Sequence, residues 1–267
     1  MQITKDQNPR RFGMINWMGL YTLAQRETQR FLAVWTQTLL APLVTAGLFL
    51  LIFTIAIGPS RPDVMGVSFL TFLAPGIMMM TVIQNAFANT SSSMVVAKVQ
   101  GNIVDTLMPP LSALEILMGY LAGGVVRGLL IALVVAAALT LFLGLIPQHP
   151  LVVLVFVVLG GLFMGALGLL AGIVANKFDQ MAAITNFIVT PLAFLSGTFY
   201  SVEALPPILN RMSHINPVFY LIDGLRFGMI GVSDSPPMLG LVVCSVATFL
   251  VCAATWQILR KGYRLKA

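Results

Sequence analysis

The sequence predicts an all-α integral membrane protein with six transmembrane helices. Only 9% of its 267 residues are charged and 58% are hydrophobic, with a mean hydropathy of +0.94; soluble domains carry about 25% charged residues. Apolar runs recur at about the 20-residue length that crosses a hydrocarbon core of ~30 Å. Between them, proline, glycine and amide residues gather into short polar breaks, none large enough to hold a core of its own. Residues 1–267 therefore read as a single transmembrane domain.

Residues 1–15 are polar and basic (Lys5, Arg10, Arg11) with no apolar core directly behind them, so a cleaved signal peptide is not expected. Residues 16–32 read as an amphipathic interface helix. Trp17, Leu20, Tyr21 and Ala24 share one face, while Gln25, Arg26, Gln29 and Arg30 crowd the other. That division suits the headgroup layer, and a plain juxtamembrane helix fits the same pattern. The first span is expected at Val34–Ile57, closed by Gly58-Pro59, and the second at Val67–Ala88. The second turns polar at its far end, from Gln84 and Asn85 through Asn89 to Ser93. Amides are costly facing lipid, so Gln84 and Asn85 should face another helix or a cavity, with helix–helix bonding the simpler use.

Residues 98–111 then break the apolar pattern. Gly101 interrupts the descending helix, and Asn102 is placed to cap a short one with Asp105 in its first turn. Pro109 and Pro110 stop that helix, and Ser112-Ala-Leu-Glu115 is a capping box that starts the next. On local chemistry alone, a well-capped loop fits as well as a docking element.

The third span, Ile116–Leu145, carries Gly119, Gly123, Gly124 and Gly128 at small-xxx-small spacing. It also holds Arg127, the one basic residue well inside a predicted span. Arg127 can snorkel, pair with a carboxylate or line a path, and a structural pairing is the preferred reading. The fourth span, Leu151–Ala175, has a glycine stripe (Gly161, Gly165, Gly168, Gly172) suited to close packing. Asp179 is expected to cap the fifth, Met181–Ser196. That span includes Asn186, Thr190 and Pro191, which are tolerated only where neighbours satisfy the freed backbone. In residues 199–231, Pro206 and Pro217 each suit the first turn of a helix, the second behind Asn216 as cap. Helices of ~10 residues are too short to span, which predicts a re-entrant or interfacial pair. Asp223 and Arg226, at i and i+3, can neutralise one another. The sixth span is expected at Met238–Leu259, ahead of a basic tail (Arg260, Lys261, Arg264, Lys266).

Both termini, Lys98 and Lys177 fall on one side of this topology, with Arg61, Arg211 and Arg226 on the other. The positive-inside rule then makes the termini cytoplasmic, and it accounts for the net charge of +6 without nucleic acid. Cys244 and Cys252, eight residues apart on one helix, are separated by ~12 Å of rise and cannot pair within it. His149 has no metal-binding company. Nowhere does a lysine follow a glycine, so a P-loop is absent, as are a His-Glu-x-x-His helix and a nucleophile elbow. An enzyme is not expected.

The stretch around Lys98, Gly101, Asp105, Leu107, Pro109 and Ser112 resembles the coupling-helix region of ABC-2 type permeases, the membrane subunits of a class of ABC exporters. Many relatives carry Arg-Glu before the glycine and Thr-Leu-Glu after it, where this chain has Val-Gln and Asn-Ile-Val-Asp. Leu205-Pro206-Pro207, Asn216-Pro217, Tyr220, Asp223-Gly224 and Arg226 match the family's later pattern. The resemblance implies an exporter subunit at the bacterial inner membrane. It would work as a dimer with a second copy of itself, powered by an ABC ATPase subunit that holds ATP and Mg. It implies ATPase coupling through Lys98, Gly101, Asn102, Asp105, Leu107 and Pro109. It also implies an outer gate at Tyr200, Pro206, Pro217, Tyr220, Asp223 and Arg226. Gln84, Asn85, Arg127 and Asn186 are the candidates for the transport path. Such relatives carry polysaccharides, lipids, drugs, haem-related compounds and ions, so the likeness does not choose a substrate. The alternative, a gradient-driven secondary transporter or channel, usually needs buried carboxylates, which the predicted spans lack.

Overall fold

The computed structural model describes residues 15–56 and 63–263. Arg61, Lys5, Arg10, Arg11, Arg264 and Lys266 lie outside the described residues.

Among the described residues, five helices are long and apolar enough to cross a membrane. The first is the run Thr36–Ile55, which includes most of α2 (Ala41–Ala56); the others are α3 (Phe69–Val99), α5 (Ala113–Leu143), α6 (Pro150–Val174) and α11 (Pro237–Lys261). The predicted fifth span is helical but shorter, running from α7 (Phe178–Ile184) through a π turn at Thr185–Val189 into α8 (Thr190–Phe194). Asp179 sits in the first turn of α7, not at the cap; Lys177 holds the capping position without a side-chain bond.

The two π turns among the described residues have one cause. Thr36–Leu40 ends two residues before Pro42, and Thr185–Val189 two residues before Pro191. A proline ring crowds the carbonyl one turn back. Widening that turn lets the Ala41 amide reach Thr36 O, and the Thr190 amide reach Thr185 O.

The α3 helix is the centre of the molecule. It continues well past Ala88, and its polar taper is buried: Asn89, Thr90, Ser91 and Ser93 are all enclosed. Glycines on α6 make this possible, because a Cβ at Gly168 or Gly172 would collide with backbone of Phe87 or Ser91. Thr90 Oγ1 uses the close approach to donate to Gly165 O at 2.7 Å.

α1 (Trp17–Leu32) is capped by Asn16, whose Oδ1 accepts from Gly19 N at 3.0 Å. Trp17, Tyr21, Gln25, Arg26 and Gln29 are exposed, and a stripe of Leu23, Glu27 and Phe31 is buried. Gly119 and Gly123 on α5 form the notch that takes it, their missing Cβ atoms leaving room for Leu23 and Glu27. The Ser112–Glu115 capping box starts α5, and Glu115 also accepts from Asn16 N, tying α1 to the same corner.

α4 (Ile103–Leu107) follows Gly101, whose φ of +76° ends α3 in a left-handed turn. Pro207 opens α9 (Pro207–Ile215), one residue later than expected, and Pro217 opens α10 (Pro217–Ile230) behind its Asn216 cap. At fourteen residues α10 is ~21 Å long, still short of a bilayer core. Both cysteines are free.

Candidate functional site

A groove of about 690 Å³ opens between the α1–α2 junction, α3, α5 and α8. Along α3 its wall runs from Ser92 past Asn85 and Gln84 to Thr81 and Met80. Arg30 lines the Ser92 end, Arg127 the middle, and Phe49 and Phe194 the far end. Gln37, Ala41 and Thr45 on the α2 side are exposed, so the groove is open there. Both π turns border it, through Gln37 and Thr38 from one and Thr190, beside the other.

Arg127 donates from Nη2 to Asn85 Oδ1 at 2.7 Å. Asn85 Nδ2 is held by Thr81 O at 2.9 Å, which turns the amide oxygen toward the arginine. The expected structural pairing therefore exists, but with an amide and not a carboxylate. Gln84, Asn85 and Arg127 come together in the groove wall. Asn186 does not: it is exposed on the π turn, away from the lining. At the far end Phe49, Phe53, Phe194 and Phe199 form a cluster with ring centroids 5.1–6.5 Å apart.

The α4 segment divides into two faces. Ile103 and Thr106 are buried, while Val104, Asp105, Leu107, Met108 and Pro109 are exposed, Met108 at 78%. Lys98 does not point outward with them. Its Nζ donates to Ile173 O and Ala175 O, both at 2.7 Å, and so caps the end of α6. Asn102 holds the capping position of α4, but its side chain makes no capping bond and reaches Gln100 Oε1 instead.

Behind α4 lies a charge cluster that sequence reasoning missed. Thr106 Oγ1 accepts from Arg26 Nη1 at 3.1 Å, and Arg26 Nη2 is 3.1 Å from Glu27 Oε1. The same carboxylate, fully buried, lies 3.4 Å from Arg30 Nε through its other oxygen. Arg30 also donates to Asn89 O at 2.7 Å. A continuous series of contacts therefore joins α4 to the groove wall. The clue was the spacing Leu23–Glu27–Phe31, a core stripe with an acid at its centre.

At the other end of the molecule Arg226 is wholly buried. Its Nη1 lies 3.4 Å from Asp223 Oδ1 and 3.7 Å from Asp234 Oδ2, its Nη2 donates to Gly197 O at 2.6 Å, and its guanidinium covers the Phe72 ring. Asp223 also accepts from Asp234 N, Ser235 N and Ser235 Oγ, and Asp234 from Ser201 Oγ and Val202 N. The expected Asp223–Arg226 pair is present, with Asp234 as a second acid that the sequence did not single out. Tyr220 is buried against Phe219, Tyr200 reaches Phe194 O, and nearby Pro206 holds the capping position of α9 while Pro217 opens α10.

Residues 18–230 match the family profile described as ABC-2 type transporter. The chain is 37% identical over 254 residues to the inner membrane transport permease YadH of Escherichia coli K12, covering 94% of this chain and 98% of that one. It is also similar to nodulation protein J of Neorhizobium galegae (24% over 225 residues; 82% and 83% covered) and of Rhizobium leguminosarum bv. trifolii (26% over 230 residues; 82% and 83%).

Proposed function

The chain belongs to the ABC-2 type transporter family, and on that premise we propose how this membrane-spanning permease subunit works. It acts as an exporter subunit in the bacterial inner membrane, moving substrate outward with energy from a separate ATPase that binds ATP and Mg. α7–α8 serves as the fifth of six spans, and the termini and α4 lie in the cytoplasm. Supporting this orientation, Lys98, Lys177, Arg260 and Lys261 share one side. Arg226, counted on the opposite side by the sequence reading, is consumed in a buried ion network and leaves Arg211 as the exposed described cation there. A second copy packs along α2 and α8, closing the open side of the groove.

The observation that carries this reading is the contact series from α4 to the groove. The exposed apolar residues Val104, Leu107 and Met108 offer a docking face, and Thr106, Arg26, Glu27 and Arg30 connect it to the wall lined by Arg127. Motion of an ATPase against α4 then shifts α1 and the groove as a rigid body. Asp223, Arg226 and Asp234 hold the outer end closed. Among the described residues no carboxylate lines the groove, which disfavours coupling to an ion gradient.

Affinity purification of the full chain in mild detergent is expected to bring down a P-loop ATPase at a fixed ratio. Met108→Glu, which alters a side chain 78% exposed, should abolish that capture and leave the thermal midpoint of the permease unchanged. Absence of any ATPase with an intact dimer would sink the exporter reading.

A further inference from the structure

We propose that the groove binds the anionic headgroup of an amphiphile, phosphate or carboxylate, with Arg127 as its principal ligand. The proposal deepens the exporter reading by naming a substrate class for the same groove. It starts from an imbalance of charge. Arg30 and Arg127 both line the groove, and none of the described residues lining it is acidic. Arg30 shares the Glu27 carboxylate with Arg26 from behind, whereas Arg127 has no carboxylate within ion-pair distance among the described residues. Its one hydrogen bond, to Asn85, uses a single N–H of five, and its Nε is buried without a partner.

A guanidinium in the middle of an apolar helix is expensive unless something compensates it. Here the protein supplies an amide and no carboxylate, and the arginine side chain lines the groove. That arrangement recognises an oxyanion, whose two oxygens can take parallel N–H donors. Thr81, Gln84 and Ser92 add neutral polar groups around it. Phe31, Val34, Met80, Phe49 and Phe194 supply large apolar surface to the rest of the wall, beside the neutral polar Gln37, Thr38, Thr45 and Thr190. A hydrated inorganic ion would leave these side chains unused, and an acyl chain or similar tail fills the space beside them. Both halves of the groove are then satisfied by one molecule.

Binding is measured on the purified full-length chain in dodecyl maltoside, without any ATPase. The probes are oleoyl lysophosphatidic acid, uncharged monooleoylglycerol and inorganic phosphate. Saturable binding of the lysophosphatidic acid is expected, with the neutral lipid at least tenfold weaker. Arg127→Gln should weaken the acid at least tenfold and Arg127→Lys less. Asn85→Asp, which gives Arg127 a carboxylate in place and keeps it folded, should remove binding as fully as Arg127→Gln. Arg211→Gln, at an exposed site away from the groove, should change nothing. Equal affinity for the neutral lipid, or unchanged binding by Arg127→Gln and Asn85→Asp, would overturn the proposal. Inorganic phosphate binding as tightly as the lysolipid, and dependent on Arg127, would uphold the anion site and overturn the lipid as its source. Because the readout needs no ATPase, failure of ATPase capture with intact ligand binding sinks the exporter reading alone, and the reverse result sinks this one alone.

Discussion

Glu27→Ala is expected to destabilise the protein more than any other single change in α1. Glu27 is fully enclosed and serves two arginines at once, one through each oxygen. Its removal leaves the Arg30 guanidinium against the Asn89 carbonyl and the Arg26 guanidinium against Tyr120 and Thr106, with no negative charge between them. Breaking a buried pair by removing one partner costs about 3–5 kcal/mol. The arginine side chains are 44% and 34% exposed, so water screens part of the loss and the lower end of that range applies. Glu27→Gln keeps the shape and one acceptor and should cost less than half as much. Thermal unfolding in detergent separates the two. A Glu27→Ala midpoint within a degree of wild type would mean that the cluster does not hold α1 on α5. A second effect is expected even where the fold survives: the route from α4 to Arg30 is cut, so any ATPase captured should hydrolyse ATP without response to substrate.

How far the fold could be read from the sequence depends on how local each cause is. The Ser112–Glu115 box, the Asn216 cap and the left-handed turn at Gly101 depend on residues within a few positions of one another, and all three are present. The glycine stripes were legible as close-packing surfaces, but their partners were not. Nothing near Gly119 and Gly123 says that α1 fills the notch, and only that pairing explains a buried acid in a helix with an exposed polar face. The polar taper Asn89–Ser93 looked like the end of a span because its partners, the Gly165 carbonyl and Arg30, come from distant segments. Lys98 sits in a stretch that resembles a docking element, yet it folds back onto carbonyls of α6 that have no helical partner of their own. Asp234 stands in a Ser-Asp-Ser turn that reads as a solvated loop; only the arrival of Arg226 from α10 makes it a buried ligand. Of the groove, Gln84, Asn85 and Arg127 were found because polar residues inside spans must be satisfied. Asn186 obeyed the same rule and lies elsewhere.

Arg226→Leu is expected to be the most damaging change at the opposite end, and comparison with its neighbours shows why. The substitution leaves two enclosed carboxylates, Asp223 and Asp234, facing each other without a cation, and leaves Gly197 O unpaired. A loss of about 3–5 kcal/mol is expected, and neither the guanidinium nor the acid side chains are exposed enough for water to relieve it. Asp234→Asn should cost much less. Its amide oxygen can still accept from Val202 N while its NH2 donates to Ser201 Oγ, and Asp223 remains to balance Arg226. Asp223→Asn should fall between them, since it weakens three donated bonds as well as the ion pair. The double variant Asp223→Asn with Arg226→Leu provides the decisive comparison. If the damage in Arg226→Leu comes from uncompensated charge, removing one acid should recover part of the lost thermal midpoint, although it takes away another native contact. If it comes only from lost packing over Phe72, the double variant should be worse than either single one. The network also joins the 197–202 segment and the 233–235 turn to α3, where Gly76 meets the Thr198 backbone with no room for a Cβ. Variants that release Arg226 without unfolding the chain should therefore loosen this end first, seen as faster amide exchange at residues 197–202 while α5 and α6 stay protected.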